Sequence, residues 1–190
     1  MINCLLIKLM FKNTNSDYGI VTKNFHWIMA LVIIINFSIG FIMGDLERGP
    51  LRFFLFNLHK SFGILILFLI FLRLFWRFIN IVPDPLQNHK LLNVTAKSVH
   101  YLFYILIITL TFSGWAYSSA RGGSVSFFGL FSLPPLVEKS DSNSDLAFSI
   151  HSNIGLVLVC LLVIHIGASL YHHYLKKDKT LRRMWFKKSE

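Results

Sequence analysis

Residues 146–175 read LAFSIHSNIGLVLVCLLVIHIGASLYHHYL, thirty positions without a charged side chain and with four histidines among them. A run this long and apolar is long enough to cross a bilayer core as one helix. His151 and His165 stand fourteen residues apart in it. At about 100° per residue, fourteen steps fall within about 40° of a whole number of turns, so both imidazoles lie on one side of the helix. At about 1.5 Å per residue they are separated by about 21 Å along the axis. Against a hydrocarbon core about 30 Å thick, one helix offers two ligand-type side chains, one toward each membrane face.

The rest of the chain supports a membrane reading. Of 190 residues, 54% are hydrophobic and only 15% charged, and the apolar residues gather into runs. Three more runs are long enough to span: about 25–43, 53–78 and 98–120. Lys60, Arg73 and Arg77 lie toward the ends of the second, where long cationic side chains reach the interface. Gly49-Pro50, Pro83 and Pro85, and Gly122-Gly123 with Pro134-Pro135, punctuate the three loops. The fold expected is an all-α integral membrane four-helix bundle.

The net charge of +10 has a topological reading. Lys8, Lys12 and Lys23 precede the first span. Arg73, Arg77, Lys90 and Lys97 flank the second loop, and seven Lys and Arg residues follow Tyr174. The first and third loops mix acids with bases. Both termini are therefore expected in the cytoplasm. No polar surface remains for these cations to form a nucleic-acid face, so nucleic acid is not an expected partner. Cys4 and Cys160 are the only cysteines, too few and too far apart for a zinc or iron–sulfur pattern. Residues 1–11 lack a long apolar stretch followed by a small-residue cleavage site, so no signal peptide is expected.

Topology assigns depth to the histidines. His26 opens the first span at the inner level, and His59 lies early in the inward-running second span, at the outer level. His100 opens the third at the inner level. His151 is outer and His165 inner. Each level thus has histidines from different helices: His59 with His151, and His26 or His100 with His165. Haem iron takes two axial imidazoles, and filling both positions favours electron transfer over oxygen binding. A zinc or copper site wants more ligands at one level, and carboxylates or thiolates are absent there.

Other residues carry two readings each. Gly63 and Gly155 follow His59 and His151 by four residues, on the same helix faces. They make room for a flat ring, or they let helices pack closely. Arg73, fourteen residues after His59, pairs with an inner propionate or anchors the helix end. His172 lies seven residues beyond His165, nearly on its face, and marks a quinone region or is an interfacial polar group.

Several motifs together resemble the bacterial cytochrome b561 family. They are Phe25-His26-Trp27, Leu58-His59-Lys60-Ser61-Phe62-Gly63, the Arg73 and Arg77 pair, and His100 with Tyr101 and Tyr104 followed by Gly114. His151, His165 and Tyr171-His172-His173-Tyr174 running into Lys177 to Met184 complete the set. The resemblance divides the chain into an extension at 1–16, a cytochrome domain at 17–184 with spans at about 25–43, 53–78, 98–120 and 146–175, and a basic tail at 185–190. It implies two b-type haems, with His26 and His165 holding the inner and His59 and His151 the outer, leaving His100 as a propionate or quinone candidate. It also implies a multi-pass protein of the bacterial inner membrane that links an outer-face donor to quinone. Its sharpest form is superoxide oxidation with ubiquinone reduction. A second class is a cytochrome subunit relaying electrons for a partner dehydrogenase or hydrogenase. A cofactor-free scaffold would leave four intramembrane histidines without a role.

Overall fold

The structure, a computed structural model, describes residues 11–86 and 90–186. Most of the 1–16 extension, with Cys4 and Lys8, and most of the basic tail, with Lys187 and Lys188, lie outside the described residues. Four helices are each long and apolar enough to cross a membrane: α1 (Ile20–Asp45), α2 (Pro50–Phe78), α3 (Lys90–Ala120) and α4 (Asp141–Tyr174). The chain is thus a four-helix, all-α membrane protein.

Every helix is longer than its apolar run, because hydropathy marks what lipid must accept and not where backbone hydrogen bonding stops. Pro50 is the first residue of α2, where its missing N–H costs nothing. Asp141 opens α4, an acid in the first turn that suits the helix dipole. Polar side chains within the spans return their hydroxyl protons to the preceding turn, as in Ser38 to the Ile34 carbonyl (3.0 Å) and Thr109 to the Ile105 carbonyl (2.9 Å). The α1–α2 junction is closed by Arg52, which donates to the Leu46 carbonyl at 3.0 Å.

The 121–140 loop holds one element not expected from the sequence, an antiparallel hairpin of β1 (Val125–Phe127) and β2 (Phe131–Leu133). Phe128 and Gly129 both have positive φ, 50° and 76°, and Leu130 N–H donates to the Phe127 carbonyl at 2.9 Å. This is the mirror-image turn that hairpins favour, reached here without the Asn-Gly or Asp-Gly pair that would announce it.

The chain forms two compact units, each drawing on all four helices. One comprises residues 29–70 and 104–158. Its buried side chains are mostly aliphatic or small, among them Met29, Ile33, Ile66, Ile70 and Leu158, with Ser113, Ser118, Ser144 and Ala147. Small residues let helix backbones approach where no hydrophobic effect drives them together. The large apolar residues Phe68, Leu156 and Phe41 are exposed, as a lipid-facing surface requires. The hairpin is tied to α2 in this unit. Ser61 Oγ lies 2.9 Å from the Ser126 carbonyl and accepts from Phe128 N–H at 3.1 Å. Lys60 Nζ donates to the Ser124 carbonyl at 2.8 Å.

The other unit comprises the described parts of residues 1–28, 71–103 and 159–190. Asn13 fastens it. The Asn13 Oδ1 accepts from Gly19 N–H (2.9 Å) and Thr22 Oγ1 (2.7 Å), and its Nδ2 donates to the Ile81 carbonyl (2.7 Å). Thr22 in turn accepts from Trp76 Nε1 at 3.0 Å. The C-terminal segment returns to the start of α1, where Trp27 Nε1 donates to the Met184 carbonyl at 2.9 Å. Gly19 sits so close to residues 11 and 12 that a Cβ would clash with the Lys12 carbonyl oxygen. Gly19→Ala is therefore expected to destabilise the protein by about 1–3 kcal/mol through overpacking. Gly44→Ala, with nothing within 4 Å of its Cβ, should be near neutral. Thermal unfolding in detergent reads both, and equal melting temperatures for the two variants would contradict the close approach.

Candidate haem-binding histidine pairs

In the first unit, His59 of α2 and His151 of α4 meet with ring centroids 6.1 Å apart. Each ring is held from a neighbouring helix in the same way. His59 Nδ1 lies 3.1 Å from the Asn36 carbonyl of α1, and His151 Nδ1 lies 2.8 Å from the Leu110 carbonyl of α3. A carbonyl only accepts, so each Nδ1 carries the proton and each Nε2 keeps a lone pair. Four residues beyond each carbonyl stands a glycine that touches the same ring. A Cβ on Gly40 would lie 3.1 Å from His59 Cε1, and one on Gly114 would lie 2.8 Å from His151 Cε1.

The spacing has a geometric cause. A helical side chain leans toward the N-terminus and covers the turn before it. The residue at i+4 therefore shields the carbonyl of i. Glycine at i+4 uncovers that carbonyl, whose second lone pair can take a proton from outside the helix. Asn36/Gly40 and Leu110/Gly114 are two copies of one seat for a histidine. Ser113 Oγ donates to the same Leu110 carbonyl at 2.9 Å and stands 3.4 Å from His151 Nδ1. The Asn36 side-chain Oδ1 is buried without a hydrogen-bond partner.

The glycines singled out in the sequence behave differently. Gly63 has nothing within 4 Å of its would-be Cβ, and Gly155 has only Leu110 and Phe37 at 3.7 and 3.9 Å. Neither mediates tight packing. The ring-contacting glycines sit on the neighbouring helices, and the signal for them was a glycine on a helix that carries no ligand at that level.

In the second unit, three imidazoles gather. His165 of α4 lies 6.3 Å from His26 of α1 and 6.5 Å from His100 of α3, centroid to centroid. Distance alone thus does not choose between His26 and His100. Phe103 closes on His165 at 5.3 Å and Trp27 on His26 at 5.2 Å. Arg73 of α2 belongs to the same unit. Arg77 stacks over Tyr101 with its guanidinium carbon 5.8 Å from the ring centroid. His172, in the last turn of α4, hydrogen-bonds through Nδ1 to the carboxylate of Asp178, which also accepts from Thr180 N–H at 2.8 Å. Burial pushes the Asp178 carboxyl up, but the bonds from Thr180 and His172 outweigh it and hold it below its ordinary value.

Both pairs suit a group that needs two neutral imidazoles from different helices. Among the described residues no cluster of three or more His, Cys, Asp or Glu is arranged to hold a bare metal ion. Residues 17–187 match the family model described as prokaryotic cytochrome b561. The chain belongs to the prokaryotic cytochrome b561 family. It is 32% identical over 189 residues to "Cytochrome b561 homolog 2" of Escherichia coli (strain K12), covering 95% of this chain and 97% of that one. It is 31% identical over 165 residues to "Cytochrome b561 homolog 1" of the same organism, covering 84% and 91%. It is 30% identical over 175 residues to "Probable superoxide oxidase CybB" of Yersinia pestis, covering 92% and 98%. Membership makes it a multi-pass bacterial membrane protein of electron transport that binds haem b.

The Gly114 seat is testable. An alanine there must push the His151 ring off the Leu110 carbonyl. Gly114→Ala is expected to weaken haem binding at the His59–His151 pair by roughly tenfold or more, the usual scale for losing an outer-shell partner. Gly167→Ala, with open space around its Cβ, should keep full haem content. Full content in both, by pyridine haemochrome assay after dilution, would contradict the seat.

Proposed function

We propose that the chain holds two haem b groups, one on His59 and His151 and one on His26 and His165, and carries electrons from a donor at the outer face to membrane quinone. The observation that carries this reading is the recurrence of paired imidazoles, once in each unit, with partners from different helices. Haem b supplies reversible one-electron iron chemistry when bound. The Nε2 atoms of His59 and His151, left free by their Nδ1 bonds, would hold the iron there. Two imidazoles per iron leave no coordination position for oxygen. The open space at Gly63 accepts the face of a planar ring, with Gly155 a lesser contributor. Arg73 serves as a cation for a propionate, and His100 as a hydrogen-bonding neighbour of the same site.

The sharpest form of the proposal takes superoxide as donor and ubiquinone as acceptor, in line with the name of the Yersinia relative. Two superoxide anions yield two O₂ and two electrons. One ubiquinone takes those two electrons and two protons to become ubiquinol. With both termini in the cytoplasm of a bacterial inner membrane, Arg48, Arg52, Lys60, Arg121 and Lys139 lie on the outer side and attract an anion. At the inner side His172, whose hydrogen bond to Asp178 supports the role, serves in this reading as the proton donor to quinone.

Superoxide supplied to the purified protein with a soluble ubiquinone should give quinol at one per two superoxide consumed. His172→Ala should slow quinol formation by about 100-fold, a general-acid effect, while leaving reduction of the haem by superoxide unchanged. A haem that superoxide does not reduce would remove superoxide as donor and leave the chain as a relay for a partner subunit. An unchanged quinol rate in the variant would remove His172 from the quinone site.

A further inference from the structure

Beyond α4 the chain is held at every step. Asp178 N–H donates to the His172 carbonyl at 3.1 Å, and Thr180 N–H donates to the Asp178 carboxylate at 2.8 Å. These bonds turn the chain at the helix end and lead it into a single 3-10 turn, Arg182–Met184. Arg183 pins that turn. It is only 7% exposed, its Nη1 donates to the Asp84 carbonyl at 2.8 Å, and its guanidinium carbon stands 5.9 Å from the Tyr18 ring centroid. Asp84 is tied in turn, its N–H donating to the Asn15 carbonyl at 2.8 Å. A buried guanidinium is costly away from its acceptor, so these contacts fix where residues 184 and 185 lie.

Both of those residues seat Trp27 of α1. The Met184 carbonyl accepts from Trp27 Nε1 at 2.9 Å. The Trp185 ring meets the Trp27 ring edge to face, 5.6 Å between centroids and 88° between planes. A hydrogen bond and an edge contact on one indole define its orientation. The same indole meets the His26 ring at 5.2 Å and 73°. The orientation of a ligating imidazole is set by what surrounds its ring. At His59 and His151 a backbone carbonyl supplies that support. At His26 the ring in contact is an indole that the C-terminal segment holds.

We propose that Trp27, Arg183 and Trp185 are positioning residues for the His26–His165 centre: the segment after α4 fixes the Trp27 indole, and the indole fixes the plane of the His26 ring. The proposal rests on the assignment of a haem to that pair. It also gives a role to a buried arginine that electron transfer itself does not use.

Electron paramagnetic resonance of the oxidised protein tests it, because the g-values of a low-spin ferric haem depend on the angle between its two axial imidazole planes. Loss of a signal in His165→Ala identifies the His26–His165 centre. Trp27→Phe removes the indole N–H and keeps a ring. Trp185→Ala changes a residue that is 53% exposed and so lies outside the packed interior. Each is expected to shift or broaden that signal, and to speed transfer of that haem to apomyoglobin by about tenfold, the scale of losing an outer-shell partner. Trp185→Phe, which keeps the edge contact, should restore both readouts, and Phe186→Ala, at a residue 54% exposed, should change neither. The His59–His151 signal should stay in place throughout. An unmoved His26–His165 signal in either Trp27→Phe or Trp185→Ala, or an equal shift of both signals, would overturn the proposal by itself. A wild-type spectrum that His165→Ala leaves complete would overturn the haem assignment beneath it.

Discussion

A helix carbonyl already accepts one hydrogen bond, and a donor from another helix reaches it only where the side chain four residues on leaves it uncovered. That constraint governs the His59–His151 pair. An imidazole in hydrocarbon must place its N–H somewhere, since an unsatisfied polar group there is costly. Asn36 and Leu110 provide the acceptors because Gly40 and Gly114 are glycines. Once Nδ1 is committed, Nε2 has its lone pair free, and the tautomer needed for metal ligation follows from the backbone of a neighbouring helix.

Four apolar runs, loop punctuation and histidine spacing made much of the fold legible in the sequence. The meeting of His59 with His151 was legible too, because charge asymmetry turns position along a span into depth. The glycines that contact the histidine rings escaped the sequence for a physical reason. Counting four residues from His59 and His151 along their own helices leads to Gly63 and Gly155, which touch neither imidazole. The glycines that contact the rings count four from a carbonyl on a neighbouring helix, and that relation is tertiary. The hairpin at 125–133 was hidden because Phe128-Gly129 lacks the usual turn chemistry, and its attachment runs through the Ser61 hydroxyl. His26 and His100 remained ambiguous by depth, and in the structure they stand almost equally far from His165.

The unit that carries the chain's ends shows a different construction. Among the described residues no glycine seat serves its imidazoles. Its order comes from connections between distant pieces of sequence: Asn13 joins the 11–19 arm to the loop after α2, and Met184 returns to Trp27, which touches His26. Part of the arm assigned no role from sequence is thus a fastening of this unit. The same unit also holds Arg73 and the hydrogen-bonded pair His172 and Asp178.

The most direct test of the central claim is a count of haem per chain. The wild-type protein is expected to hold two haems b, and His151→Ala and His165→Ala are each expected to hold one, with different residual spectra. A wild-type protein without haem, or either variant retaining two, would contradict the account of one imidazole pair per haem.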